Sequence, residues 1–173
     1  VDATGRVYRS TDGGASWTAS ASAPPELAAV DLHFTTGVDG WVIGQGFGSG
    51  ALFHTADAGA SWTPVPDFLG TYVAVDFAGA NGWAASYDGT FYRTTDSGLS
   101  WTQGSLPGLA PQVKDLEFWD SAIGYAVGGG GYAVRSTDGG SSWQILPTPD
   151  ANDQLVDIAL VGPDDTAVTL MSD

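Results

Sequence analysis

Carboxylates are the side chains of this chain whose number and spacing could support catalysis. The sequence of 173 residues has twenty acidic residues, eighteen of them Asp, against five Lys and Arg, which gives a net charge of −15. A glycosidase needs two carboxyl groups held about 5 to 9.5 Å apart. Among eighteen aspartates some pair meets that distance by accident, so carboxylate spacing does not identify a hydrolase here.

Other common catalytic and metal-binding patterns do not occur in the sequence. There is no Cys, which excludes thiolate chemistry and disulfides. The two histidines, His33 and His54, occupy unrelated positions, which excludes a zinc hydrolase. No phosphate-binding loop, nucleophile elbow or Asp-x-Asp-x-Asp calcium loop is found. We therefore predict that the protein is not an enzyme and has neither a metal site nor a cofactor.

Four of the aspartates belong to an internal repeat. Each has Ser or Thr two residues before it, Gly two residues after it, and then Ser-Trp. The four turns are centred on Asp12, Asp57, Asp96 and Asp138 and end in Trp17, Trp62, Trp101 and Trp143. The carboxylate can accept backbone N–H bonds, the Gly supplies a positive φ, and the Trp can cover the turn. We call each turn a lock and predict that these residues are structural, with every lock Trp in the core.

The segments around the locks alternate apolar and polar residues, as strands with one buried face do. First strands are predicted at 29–34, 74–77, 113–118 and 155–160, around the recurring Asp31, Asp76, Asp115 and Asp157. A second and a third strand then lead to each lock, and a short fourth strand follows it. No segment shows a helical apolar stripe. Four antiparallel strands in about 40 residues are typical of a β-propeller blade.

The sequence thus predicts an all-β fold, a β-propeller of four-stranded antiparallel blades that occupies residues 1–173 as one domain. Complete blades are predicted at 26–63, 71–102 and 113–144. Residues 1–18 would supply strands three and four, and residues 153–173 strands one and two, of a fourth blade split between the two ends. The alternative is that the chain is part of a larger propeller.

The lock resembles the Asp-box (BNR) repeat, Ser/Thr-x-Asp-x-Gly-x-x-Trp. The fuller unit, with Val-Asp, Gly-Trp and Tyr-Arg-Ser/Thr, is most similar to the photosystem II assembly-factor type of propeller repeat. The resemblance implies an extracellular or periplasmic location. It also makes sialidase activity a hypothesis to test, and that activity would need three Arg that converge on the substrate carboxylate. Because Arg9, Arg93 and Arg135 share one repeat position, with His54 in the fourth copy, they cannot converge. We expect each cation to pair with an acidic or backbone acceptor in its own or the next blade.

Aromatic residues outside the repeat template are the candidate binding residues. Phe47, Tyr87, Asp88 and Tyr132 lie in or beside loops that join second and third strands, and Phe68 and Tyr72 flank a link between blades. In a propeller these loops and links share one face. Aromatic and acidic groups on one surface suit protein segments or sugars.

The function that we predict is a non-enzymatic binding or scaffold propeller that presents the loops of one face to a protein partner. The alternatives are a glycan-binding module of a secreted carbohydrate-active system, or a structural subunit of an extracellular assembly that self-associates through its terminal strands. The scarcity of Lys and Arg excludes nucleic acid as a partner. No run of about 18 apolar residues is present, so no membrane span is predicted.

Overall fold

The computed structural model of the chain describes residues 7–20, 27–46, 52–68, 70–108, 112–148, 152, 154–162 and 167–172. Every regular element in these ranges is a β-strand. The strands are β1 Tyr8–Arg9, β2 Thr18–Ala19, β3 Leu27–Phe34, β4 Gly40–Gly46, β5 Leu52–Thr55, β6 Thr63–Pro64, β7 Tyr72–Ala78, β8 Asn81–Ser86, β9 Thr90–Thr94, β10 Thr102–Ser105, β11 Val113–Phe118, β12 Gly124–Gly128, β13 Tyr132–Ser136, β14 Gln144–Ile145, β15 Gln154–Leu160 and β16 Ala167–Ser172. Over the described ranges, no helix has the length and apolarity needed to cross a membrane.

The strands form three four-stranded antiparallel sheets, each in chain order: β3 to β6, β7 to β10 and β11 to β14. The strands β1 and β2 pair with each other, as do β15 and β16, in two-stranded sheets. The predicted all-β fold with four-stranded antiparallel sheets is confirmed. Union of the two short sheets into a split fourth blade, and the number of blades, stay predictions.

The chain divides into two compact units, Val1–Tyr72 and Val73–Asp173. The first has a small core that includes Val42 and Trp62. The second has a larger core in which Trp83 is fully buried, and the Trp83 and Phe118 rings are stacked with centroids 3.5 Å apart. The Trp83 indole also donates a 2.9 Å hydrogen bond to the Gly139 carbonyl. In the second unit, side chains of one sheet thus pack on and bond to the next sheet.

A β-bulge recurs in three of the first strands, just before the shared aspartate. The bulges lie between Ala29 and Asp31, between Val113 and Asp115, and between Leu155 and Asp157. An extra residue at a bulge bends the strand and re-aims the next side chain. The carboxylates of Asp31 and Asp115 turn back onto their own strand, where Oδ1 accepts the amide of the following residue at 2.7 and 2.8 Å.

Each four-stranded sheet has a Phe at the end of its first strand that covers a Gly at or near the start of its second. The pairs are Phe34 with Gly40, Phe77 with Gly82, and Phe118 with Gly124. A Cβ on Gly82 would lie 2.2 Å from the Phe77 ring. The Gly of the recurring Gly-Trp or Gly-Tyr pair is therefore required because the ring occupies the place of a side chain.

Each lock is held by its aspartate. In the lock of Asp96, Oδ1 accepts hydrogen bonds from the Thr94 hydroxyl (2.7 Å) and the Ser100 amide (2.9 Å), and Oδ2 accepts one from the Ser100 hydroxyl (2.5 Å). The locks of Asp12, Asp57 and Asp138 repeat these three bonds. The bonds, led by that of the serine hydroxyl, lower the pKa of Asp12, Asp57 and Asp96 to about 2.

The lock tryptophans are not all in the core, which corrects the sequence prediction. Trp62 is buried and Trp101 and Trp143 are partly buried, and each packs edge-on against a Phe of its unit. Trp17 is 62 % exposed. Its lock joins β1 and β2, which form a two-stranded sheet. The indole N–H of Trp17 donates a 3.1 Å hydrogen bond to the Gly14 carbonyl of the same lock. The local turn places the ring, but burial requires a neighbouring ring to pack on it.

Candidate functional site

Acidic side chains lie on the first strands of the second unit. They are Asp76 on β7, Asp115 and Glu117 on β11, and Asp157 on β15. Asp115 Oδ2 accepts the Ile158 amide and Glu117 Oε2 the Leu160 amide, both at 2.9 Å. Burial raises the pKa of Asp115 to about 7, with the Asp157 carboxyl adding to the rise, and burial also raises the pKa of Glu117. These carboxyls act as acceptors for the backbone of the next sheet.

Metal binding finds no support in the part of the chain that the structure describes. No group of three His, Cys, Asp or Glu residues in it could hold an ion. The lock aspartates are unsuited to the task, because both of their oxygens already accept hydrogen bonds inside the lock.

Two of the predicted binding residues, Tyr87 and Asp88, form an exposed turn between β8 and β9. Asp88 Oδ1 accepts the Thr90 amide at 2.8 Å, and this bond lowers the Asp88 pKa. Tyr87 is 39 % exposed, and the ammonium of Lys114 lies 5.2 Å from the centre of its ring. The Tyr87 carbonyl also accepts the Val113 amide at 3.0 Å. A phenol, a carboxylate and an ammonium are thus held together at one surface.

Tyr132 tethers the segment that follows β10 to the core of the second unit. Its hydroxyl donates a 2.7 Å hydrogen bond to the carbonyl of Pro107, and its ring packs partly buried against the core of the second unit. Burial raises the pKa of this phenol, so it stays protonated and remains a donor. The side chain therefore fastens the segment that follows β10.

Phe68 and Tyr72, also predicted to bind, are core residues. Each is 1 % exposed, and their rings pack at a centroid distance of 5.3 Å. The sequence placed them at a link between blades, but two large aromatic rings so close in the chain bury each other. Their side chains offer no surface to a partner. The remaining predicted residue, Phe47, lies outside the described residues.

The cations of the third strands have different partners. His54 Nε2 lies 3.6 Å from Asp39 Oδ1. Arg135 Nε donates to the Tyr125 hydroxyl at 3.0 Å. Arg93 reaches the next sheet, where Nη1 donates to the hydroxyl of Ser141 at 2.7 Å. The imidazole thus faces a carboxylate, whereas each of the two guanidinium groups donates to a hydroxyl, where the sequence predicted an acidic or backbone acceptor.

Arg93 lies in a groove that the sequence did not reveal. The groove has a volume of about 580 Å³ and lies between β9 and β10 on one side and residues 140–143 of the next lock on the other. Its lining is rich in Ser and Thr, with the rings of Phe91 and Trp143, and Arg93 is the charged side chain of this lining. No local pattern indicates such a site, because its two walls are some forty residues apart in the chain.

Two buried N–H donors lie in the lining of this groove. Arg93 Nε and Trp143 Nε1 have no hydrogen-bond acceptor among the described residues. An unsatisfied buried donor costs about 1–3 kcal/mol. Both atoms are enclosed by protein, so a ligand in the groove would meet the rest of the Arg93 guanidinium rather than Nε.

Comparison with known proteins supports the interpretation of the repeat. The BNR/Asp-box repeat family matches residues 8–19. Together with the structural similarities below, this confirms the predicted type of repeat. A comparison with curated protein sequences gives no significant match.

Several solved structures are similar to the chain. YCF48 bound to a D1 peptide is 26 % identical, with a TM-score of 0.66 over 78 % of this chain and 44 % of that chain. YCF48 from Cyanidioschyzon merolae is 18 % identical, with a TM-score of 0.72 over 100 % and 62 %. An ancestral GH74 enzyme is 19 % identical, with a TM-score of 0.71 over 87 % and 23 %. The chain spans less than two thirds of each of these proteins, and the similarity shows a β-propeller fold.

Proposed function

We propose that this chain is a non-enzymatic protein-binding module that presents loops of one face to a protein partner. The observation that carries the proposal is the exposed Tyr87–Asp88 turn with Lys114 over the tyrosine ring. Tyrosine gives a large contact area at low cost in side-chain entropy, and the flanking charges give orientation. Similarity to YCF48, which was solved with a bound peptide, supports a peptide or protein as the class of partner.

The absence of enzymatic activity is part of the proposal. The aspartates that recur most regularly are engaged in lock hydrogen bonds or in bonds to neighbouring backbone amides. A carboxylate that serves as a general base must reach the proton it removes. These carboxylates instead hold the fold together.

Selection from a library of random peptides displayed on phage, with the purified chain as bait, tests the proposal. We expect enriched peptides whose binding is lost in Tyr87→Ala and in Lys114→Ala. Tyr8→Ala is the matched control, since Tyr8 is 37 % exposed on β1 and plays no part in the turn. Enriched peptides that bind all three variants equally would overturn the assignment of the surface.

A glycan array run on the same preparation distinguishes the alternative function. Binding to a defined glycan without any enriched peptide would replace the protein-binding proposal by a glycan-binding module. Native mass spectrometry tests the third prediction, a self-associating structural subunit, which a strictly monomeric chain would exclude.

A further inference from the structure

The open edge of β10 forms one wall of the groove beside Arg93. β10 is the outermost strand of its sheet, and its four residues are all exposed. The Leu106 amide bonds the Gly89 carbonyl at 2.9 Å, so the alternation of an antiparallel pair turns the backbone N–H and C=O groups of Gln103 and Ser105 away from β9. Both of these residues line the groove. The wall thus offers backbone groups in the arrangement that another strand would use.

The same wall supplies the positive charge, because Arg93 lies on β9 and pairs with Thr102 of β10. Arg93 is the charged group of the groove lining in a chain whose net charge is −15. The hydroxyl of Ser141 accepts from its Nη1 at 2.7 Å, which holds the guanidinium in the groove lining. An acidic ligand would be repelled by most of the surface of this protein but attracted here.

We propose that this groove binds an acidic peptide segment in extended conformation, which adds as a further strand to β10 and places a carboxylate against Arg93. Addition of a strand to an open sheet edge gives affinity through main-chain bonds, and alternate side chains give specificity. The inference rests on the proposed protein-binding function but uses a surface other than the Tyr87 turn. Either can therefore fail alone.

An acidic glycan is the competing occupant, because its carboxylate would also be attracted to Arg93. A glycan has no ladder of amide groups to match those of Gln103 and Ser105, whereas a peptide strand does. The exposed edge therefore favours the peptide, and the two occupants respond differently when the backbone of β10 is changed.

Titration calorimetry of the purified chain with synthetic probes tests the site. The probes are a peptide of alternating Thr and Glu, its Thr-Gln analogue, the same Thr-Glu peptide with alternate amides N-methylated, and an oligogalacturonate. We expect the Thr-Glu peptide to bind about tenfold or more tightly than the Thr-Gln and N-methylated peptides, since each lacks one class of bond. Equal binding of the N-methylated peptide, or tighter binding of the oligogalacturonate, would overturn the proposal.

Substitutions distinguish the contribution of the Arg93 charge to peptide binding from that of the β10 backbone. Arg93→Gln should weaken Thr-Glu binding about tenfold or more, while Arg135→Gln, at the same repeat position outside the groove, should not. Gln103→Pro removes the outward N–H and should abolish strand addition, while Gln103→Ala keeps the backbone and should bind normally. Thermal unfolding identifies any variant that loses its fold, and the N-methylated peptide then decides the backbone question on the unaltered chain.

The phage selection separates failure of this inference from failure of the proposed function. Enriched peptides that depend on Tyr87 but bind Arg93→Gln and Gln103→Pro normally, with no binding of the Thr-Glu peptide, would leave the protein-binding function standing and reject the groove. Binding of the Thr-Glu peptide that needs Arg93 and the Gln103 amide would establish the groove whatever the Tyr87 variants do.

Discussion

The backbone amide of Phe118 donates a 2.6 Å hydrogen bond to Asp76 Oδ2, so a carboxylate on β7 is bonded to the first strand of the next sheet. Asp76 Oδ1 accepts the amide of Phe77 at 2.8 Å on its own strand. Asp115 repeats the arrangement, with Oδ1 on the Leu116 amide and Oδ2 on Ile158 of β15. The recurring first-strand aspartate is therefore a bridge between adjacent sheets of the second unit.

Replacing Asp76 by Ala should lower the free energy of unfolding by about 2 kcal/mol, because two backbone amides lose their acceptor. Asp88→Ala is the control, since Asp88 is exposed and accepts an amide only two residues away. Denaturant unfolding of both variants measures the difference. Equal stability of the two variants would contradict the bridge.

Acid should first stabilise and then destabilise the protein. Because burial raises the Asp115 pKa to about 7, above its unfolded value of 3.8, this group contributes stability that is complete below about pH 4 and is lost as the pH rises through about 7. The acid that faces Asp115 from β15 is Asp157, and it adds to the rise in the Asp115 pKa. The lock aspartates act in the opposite direction, since their pKa near 2 gives stability that is lost as the pH falls from about 4 to about 2.

Thermal unfolding at a series of pH values should therefore show a rise in the melting temperature from about pH 7 to about pH 4, and a fall below that. Asp115→Asn should flatten the rise but leave the fall, because Asn has no proton to gain. A rise that is unchanged in Asp115→Asn would assign it to other acids.

Gly82→Ala should destabilise the second unit by about 1–3 kcal/mol, the usual cost of overpacking. The new Cβ would lie 2.2 Å from the buried Phe77 ring. Gly162→Ala serves as the control, since a Cβ there meets nothing within 4 Å. Chemical denaturation compares the two, and a Gly82→Ala variant as stable as the control would refute the close packing.

Ala58→Gly should stabilise the first unit by about 0.5–1 kcal/mol, because Ala58 has a φ of 58° where the lock of Asp138 has Gly139 at 69°. Ala60→Gly in the same lock is the control and should destabilise, since its φ is not positive and the new Gly gains freedom only in the unfolded chain. Differential scanning calorimetry measures both changes. A lower melting temperature for Ala58→Gly would count against the left-handed conformation.

Tyr132→Phe should cost about 1 kcal/mol, the net value of its hydrogen bond to the Pro107 carbonyl. It should also speed amide hydrogen exchange at Leu106, next to the tethered carbonyl, because the segment after β10 is released. Tyr87→Phe, which keeps an exposed ring below Lys114, should change neither quantity. The reverse result, with stability unchanged and peptide binding lost in Tyr132→Phe, would return Tyr132 to the binding surface.

The locks and strands could be predicted from the sequence because their interactions are local. The acceptors and donors of the Asp96 lock lie within four residues of it, so the motif contains the whole structure of the turn. The bulge before Asp115 could not be foreseen, because it depends on the register with β12. The partner of Asp76, an amide 42 residues later, also depends on how adjacent sheets are placed.

The candidate site was predicted less well, for the same reason. Tyr87 and Asp88 are exposed as expected because a two-residue turn projects from the sheet. Phe68 and Tyr72 resemble Tyr87 in sequence, as aromatic residues beside a loop, but they are buried. The exposure of such a ring depends on which side chains pack on it. The groove beside Arg93 is formed by two sheets, so no single stretch of sequence describes it.

The carboxylate bridge between first strands bears on how repeats of this kind multiply. One repeat carries both the donor and the acceptor of this bridge. On β11, the Phe118 amide donates to Asp76 of the preceding sheet, and Asp115 accepts the Ile158 amide of the following one. A tandem gene duplication of the repeat copies both halves of the joint at once. The inserted unit then bonds to each neighbour without further mutation, and lengthening the array requires no newly evolved interface.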